Sequence, residues 1–92
     1  MIGRRRRYDP LDQGGVSTIA KFSSGDYGRA PDDGLGNHWY ACTPNGHLAN
    51  LSRHEVTEHA DGTITVSPSI LVSDGEGPVW HGYLERGVWR LA

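Results

Sequence analysis

The sequence has little of what several large protein classes require. A single cysteine, Cys42, stands in 92 residues. It cannot close an internal disulfide, which excludes the oxidised secreted scaffold. No apolar run approaches the roughly 18 residues that a membrane-spanning helix needs. The basic start runs into Tyr8-Asp9-Pro10 instead of an apolar segment, so no secretory signal is read. Coiled-coil heptads, internal repeats and a sustained amphipathic helix are all missing. The location expected from these absences is the cytosol or the inside of an assembled particle.

What is present favours short strands. Gly occupies 13 positions and apolar residues make up 36% of the chain. That mixture suits strands joined by many turns better than packed helices. Three Trp and four Tyr give a chain of this size its largest burials. The charge is divided unevenly. Arg4, Arg5, Arg6 and Arg7 crowd the first ten residues, whereas from Tyr8 onward five basic residues face all eleven acids, a net charge of −6. A basic run ahead of an acidic body is not the pattern of a dedicated nucleic-acid-binding domain, which spreads basic residues over a face.

Along the chain, residues 1–15 read as an irregular basic arm and residues 16–92 as a single β-rich domain. Val16 to Phe22 is a candidate first strand. Residues 23–37 carry four Gly, Pro31 and several Asp or Asn, and read as a loop. His38 to Cys42 is aromatic and strand-like, Thr43-Pro44-Asn45-Gly46 is a turn, and His47 to Leu51 is a short strand. Arg53 to Ala60 reads as a strand, with a short helix as the alternative. Asp61-Gly62 before Thr63-Ile64-Thr65-Val66 is the strongest hairpin signal and predicts a type I′ turn. Pro68 marks a sheet edge or strand start. The chain closes on a hairpin, Val79–Leu84 and Val88–Leu91, whose Glu85-Arg86-Gly87 connection predicts a type I turn with Gly87 in a bulge. The fold class expected is a small all-β domain, an antiparallel meander of five or six short strands.

Three blocks in the second half carry a resemblance. They are Trp39-Tyr40-Ala41-Cys42-Thr43-Pro44-Asn45-Gly46-His47, then Asp61-Gly62-Thr63-Ile64-Thr65-Val66-Ser67-Pro68-Ser69-Ile70, and Trp80-His81-Gly82-Tyr83-Leu84-Glu85-Arg86-Gly87-Val88-Trp89-Arg90. In order and spacing, residues 38–91 resemble a family of small uncharacterised proteins common in actinobacterial phages and some bacterial operons. The resemblance implies a compact β-rich fold, often built like a zinc ribbon, with no established activity. Asn45 stands where relatives often have a second knuckle cysteine. Val79 or Trp80 stands where they often have a cysteine before the closing His.

Four constellations could carry chemistry. Cys42, His47 and His81 form a zinc set of one thiolate and two imidazoles, with His38 as a possible fourth ligand, against the alternative of a buried thiol and ordinary strand histidines. Zinc is the sole cofactor the sequence brings into question. Cys42 with His81 could also be a nucleophile–base pair, although no acidic residue to orient the base is identifiable. Arg4, Arg5, Arg6 and Arg7 could bridge phosphates of a nucleic acid or bind an acidic partner surface, or simply solubilise a tail. Trp39, Trp80 and Trp89 could form an aromatic contact surface or the core itself. His54 and His59 lie five residues apart, which is not the zincin spacing.

The function expected is that of a small phage-type accessory protein, not an enzyme, acting by binding a protein partner of host or phage. Two alternatives stand beside it. One is a zinc-binding module using Cys42, His47 and His81; the other is a virion component anchored through its arginine run. The expected location is the bacterial cytoplasm or a phage particle, away from membranes.

Overall fold

A computed structural model describes residues 1–7, 19–29 and 38–92. The chain is a small all-β fold, as expected, but it is cut more finely than five or six strands. The strands are β1 (Arg4–Arg5), β2 (Asp26–Arg29), β3 (Trp39–Cys42), β4 (Leu48–Asn50), β5 (Glu55–Glu58), β6 (Ile64–Ser67), β7 (Ile70–Asp74), β8 (Gly77–Glu85) and β9 (Val88–Leu91). They form a four-stranded sheet in the order β1-β2-β3-β4, the hairpin β5-β6, and a three-stranded sheet β7-β8-β9. Neighbouring strands are antiparallel except β1 and β2, which run parallel with Arg4 opposite Asp26 and Arg5 opposite Tyr27.

The first seven residues are part of the fold and not a detached arm. Met1 and Trp89 exchange backbone hydrogen bonds: the Trp89 N–H donates to the Met1 carbonyl at 2.8 Å, and the Met1 nitrogen donates to the Trp89 carbonyl at 3.1 Å. The Gly3 N–H donates to the Gly87 carbonyl, and Ile2 bridges Val88. Beyond Gly3 the chain changes partner. The Arg4 and Arg6 N–H groups donate to the Gly25 and Tyr27 carbonyls. One short segment therefore sews β9 to β2. On the far side β4 approaches β7, and the His54 ring nitrogen Nε2 lies 3.2 Å from the Ser69 carbonyl oxygen. The rest of the expected arm, residues 8–15, falls outside the described residues.

Two other expectations change in the first third. Of the candidate strand Val16–Phe22, residues 19–22 are described, and they form a helical turn closed by the Phe22 N–H on the Ile19 carbonyl. The described part of the expected loop at 23–37 holds β2. Asp26, Tyr27 and Gly28 are buried there despite their turn-like composition.

Two turns exchange their expected geometries. Glu85 pairs with Val88, so Arg86 and Gly87 alone connect β8 to β9, with φ of +47° and +75°. Positive φ at both central residues is the type I′ form, whose twist matches the flanking strands. At Asp61-Gly62 only Gly62 has positive φ, +87°. The β5–β6 connection is longer: the Gly62 N–H donates to the His59 carbonyl, and the Asp61 carboxylate accepts from the N–H and hydroxyl of Thr63. The Thr63 contacts favour the longer loop over a two-residue turn.

Strand alternation organises the core. In β8 the residues Trp80, Gly82 and Leu84 point inward, while His81 and Glu85 are exposed. Gly82 is required here, because a Cβ would collide with the Trp80 ring and the Arg90 carbonyl. The Trp80 ring fills that space and meets Trp89 edge-on, with centroids 5.4 Å apart and planes at 83°. Tyr27, Ala41, Leu51, Ile64 and Ile70 complete the centre. Each large aliphatic buried there contributes on the order of 2 kcal/mol. Of the two readings of Trp39, Trp80 and Trp89, contact surface or core, the structure has the core: all three are buried, at 5%, 7% and 2% exposure.

Candidate functional site

The arginine run is the first feature the fold rearranges. In extended chain, successive side chains take opposite faces. Arg4 and Arg6 turn toward Asp26, and Arg5 turns toward Glu58. The Arg6 guanidinium donates to the Asp26 carboxylate at 2.9 Å, and Arg4 lies 3.6 Å from the same oxygen. That oxygen also accepts the Ser23 N–H at 2.9 Å, which allows a carboxylate to be buried. Arg5 donates to Glu58 and to the Gly62 carbonyl, both at 2.9 Å, and its guanidinium lies 4.8 Å from the Trp39 ring centroid. Glu58 is held below its ordinary pKa by the Arg5 hydrogen bond and charge, with Arg7 and Arg29 adding to the field. The four guanidiniums therefore do not form one patch. Arg5 and Arg6 brace the sheet, while Arg4 and Arg7 are exposed.

The zinc set is dispersed in a similar way. Cys42 is buried at the end of β3, His47 is exposed in the β3–β4 connection, and His81 is exposed on β8. Among the described residues no three His, Cys, Asp or Glu side chains form a group that could hold a metal ion. Thr43, fully buried, organises the turn between Cys42 and His47. Its N–H donates to the His47 carbonyl, and its hydroxyl accepts the His47 N–H at 3.0 Å and donates to Asn45 Oδ1 at 2.5 Å. His81 instead meets the Ser69 hydroxyl, with Nε2 and Oγ 2.9 Å apart. Burial pushes the Cys42 thiol up from its ordinary pKa; the Asp26 charge adds to this and the Gly25 N–H partly opposes it. Among the described residues no imidazole contributes to that shift.

The described residues form two open clefts of note. One, of about 480 Å³, is lined by Ile19, Ala20, Phe22, Cys42, Gly46 and Leu48. The other, of about 590 Å³, lies where residues 1–3, the β3–β4 turn and the closing hairpin meet. Met1, Pro44, Trp80, Trp89 and Leu91 give it apolar walls. Asn45 and Arg90 also line it, but their polar groups are engaged elsewhere. The Asn45 amide donates to the Val79 carbonyl at 3.0 Å. The Arg90 guanidinium pairs with Glu85 and lies 4.5 Å from the Tyr83 ring centroid. No family model, curated protein or solved structure matches the chain. The second cleft is thus read from its own chemistry.

Its surroundings are apolar as well. Met1, Ile2, Val88 and Leu91 are 57%, 84%, 45% and 71% exposed, and all four sit along the seam between residues 1–3 and β9. Sequence reading found the tryptophans but missed this rim. Alternation along β9 carried the signal, since Trp89 and Leu91 share a face. What it lacked was the pairing of Met1 and Ile2 with that strand, which joins residues 88 positions apart.

Proposed function

We propose that this chain is a non-enzymatic accessory protein that acts by binding a protein partner, and that the cleft beside Trp80 and Trp89 is where the partner seats. The observation that supports it most is the pair of exposed apolar side chains, Met1 and Leu91, in the wall of an apolar cleft. Contiguous apolar surface of this kind marks interaction sites on small soluble domains. Binding is favoured over catalysis because the polar groups lining the cleft are committed to the fold. A phage-type role is supported by the resemblance of residues 38–91 alone.

Capture from lysate of the host bacterium tests this reading. Leu91→Asp places a charge at the rim without touching the buried core, whereas Thr57→Asp changes an exposed position on β5. With circular dichroism unchanged, Leu91→Asp should lower recovery of any captured protein at least tenfold, and Thr57→Asp should not. Equal recovery with both variants would overturn the assignment of this face.

A further inference from the structure

β9 has two edges of different character. One is joined to β8 through Val88 and Arg90, which pair with Glu85 and Tyr83, and through the Ala92 N–H on the His81 carbonyl. Backbone groups of an antiparallel strand alternate between edges. The N–H and C=O of Trp89 and Leu91 therefore face the other side, where Met1 takes up those of Trp89 and Gly3 takes up the Gly87 carbonyl. Ile2 is 84% exposed; Met1 is 57% exposed, with the end of its thioether side chain packed near Gly25. Arg5 and Arg6, by contrast, are tied by side chain to Glu58 and Asp26. The guard is therefore weakest at its first two residues.

Lifting those residues would leave a bare strand flanked by Val88 and Leu91, both exposed and apolar. An unprotected edge of that composition pairs with another strand. An identical β9 from a second molecule satisfies it symmetrically, since antiparallel pairing of like strands is self-complementary about a two-fold axis. The new pairing would remake the backbone bonds that Met1 gives up. We infer that residues 1–3 are a displaceable guard strand, and that the β9 edge they cover pairs with β9 of a second copy when they lift.

Two variants and one measurement on the intact chain test this. Deleting Met1 and Ile2 uncovers the edge directly. Gly3→Val does so by collision, because a Cβ at Gly3 would lie 2.6 Å from the Gly25 carbonyl oxygen and 2.8 Å from the Trp89 indole nitrogen. In sedimentation equilibrium both variants should show twice the mass of the intact chain at the same concentration, and adding Val88→Lys should return that mass to the starting value. Folded variants whose mass equals that of the intact chain would overturn the inference. Hydrogen exchange on the intact chain decides independently of how the variants fold. The Trp89 amide, bonded to Met1, should exchange at least tenfold faster than the Arg90 amide, which faces β8; equal protection would show that the guard does not lift.

Discussion

The three-stranded sheet and the four-stranded sheet reach similar ends by opposite means. In β7-β8-β9 each strand pairs with its neighbour in sequence, through short turns, and inward residues alternate with outward ones. In β1-β2-β3-β4 the first pairing joins Arg4 to Asp26 across a long stretch of chain, in parallel. Its first two strands, β1 and β2, carry Arg, Asp and Gly, whereas β8 and β9 bring Trp80, Leu84 and Trp89 to the core. A caged carboxylate at Asp26 is central to the first sheet, and apolar side chains are central to the second. Local pattern can specify a hairpin, whereas the parallel pair depends on charge groups that meet only after the chain has closed.

Substitutions at the two centres would sharpen this contrast. Leu84 is fully buried, and Leu84→Ala removes its contacts and leaves a cavity under the hairpin. Its expected cost is about 4 kcal/mol, read from urea unfolding midpoints. Asp26→Ala leaves the Ser23 N–H without its acceptor and Arg6 without its carboxylate partner. Since Arg4 and Arg6 can turn to solvent, the expected cost is smaller, about 2 kcal/mol. Equal or reversed costs would break the contrast by showing that the polar centre contributes as much as the apolar one.

The smallest effect concerns pH. Arg5 holds the Glu58 carboxyl below its ordinary value of 4.5 in the folded chain. The unfolded chain therefore takes up a proton at higher pH than the folded one. The stabilisation is present above the ordinary carboxylate range and is lost as pH falls through the depressed folded pKa. Unfolding midpoints measured between pH 7 and pH 3 should decline in that window, and Glu58→Gln should flatten part of the decline. An unchanged slope would mean that the Arg5–Glu58 pair does not couple to folding.

How much was legible follows the same division. The closing hairpin, the Asp61-Gly62 reversal and the β5 strand were visible because turn residues and strand formers lie beside each other. The chemistry of the two turns was not, since Arg86 has no composition cue for a left-handed conformation. The strand at Asp26–Arg29 was hidden by residues that ordinarily make turns, and Arg4, Arg6 and the Ser23 N–H make its buried acid acceptable. Trp39, Trp80 and Trp89 were named as candidates for surface or core; Gly82, between Trp80 and Leu84, held the cue that two of them turn inward. The exposed rim was least legible, because it is assembled from the two ends of the described chain.

The Arg86-Gly87 turn has a consequence for engineering. Tight surface turns are the usual places to cut a chain, join old ends or insert a tag. Here the Gly87 N–H donates to Ile64, its carbonyl accepts from Gly3, and the Arg86 N–H donates to the Thr65 hydroxyl. A Cβ on Gly87 would come within 2.8 Å of the Tyr27 hydroxyl. This two-residue connection is thus a poor site for a circular permutation. Gly75, exposed between β7 and β8 with no atom within 4 Å of where its Cβ would stand, is the better place to open the chain.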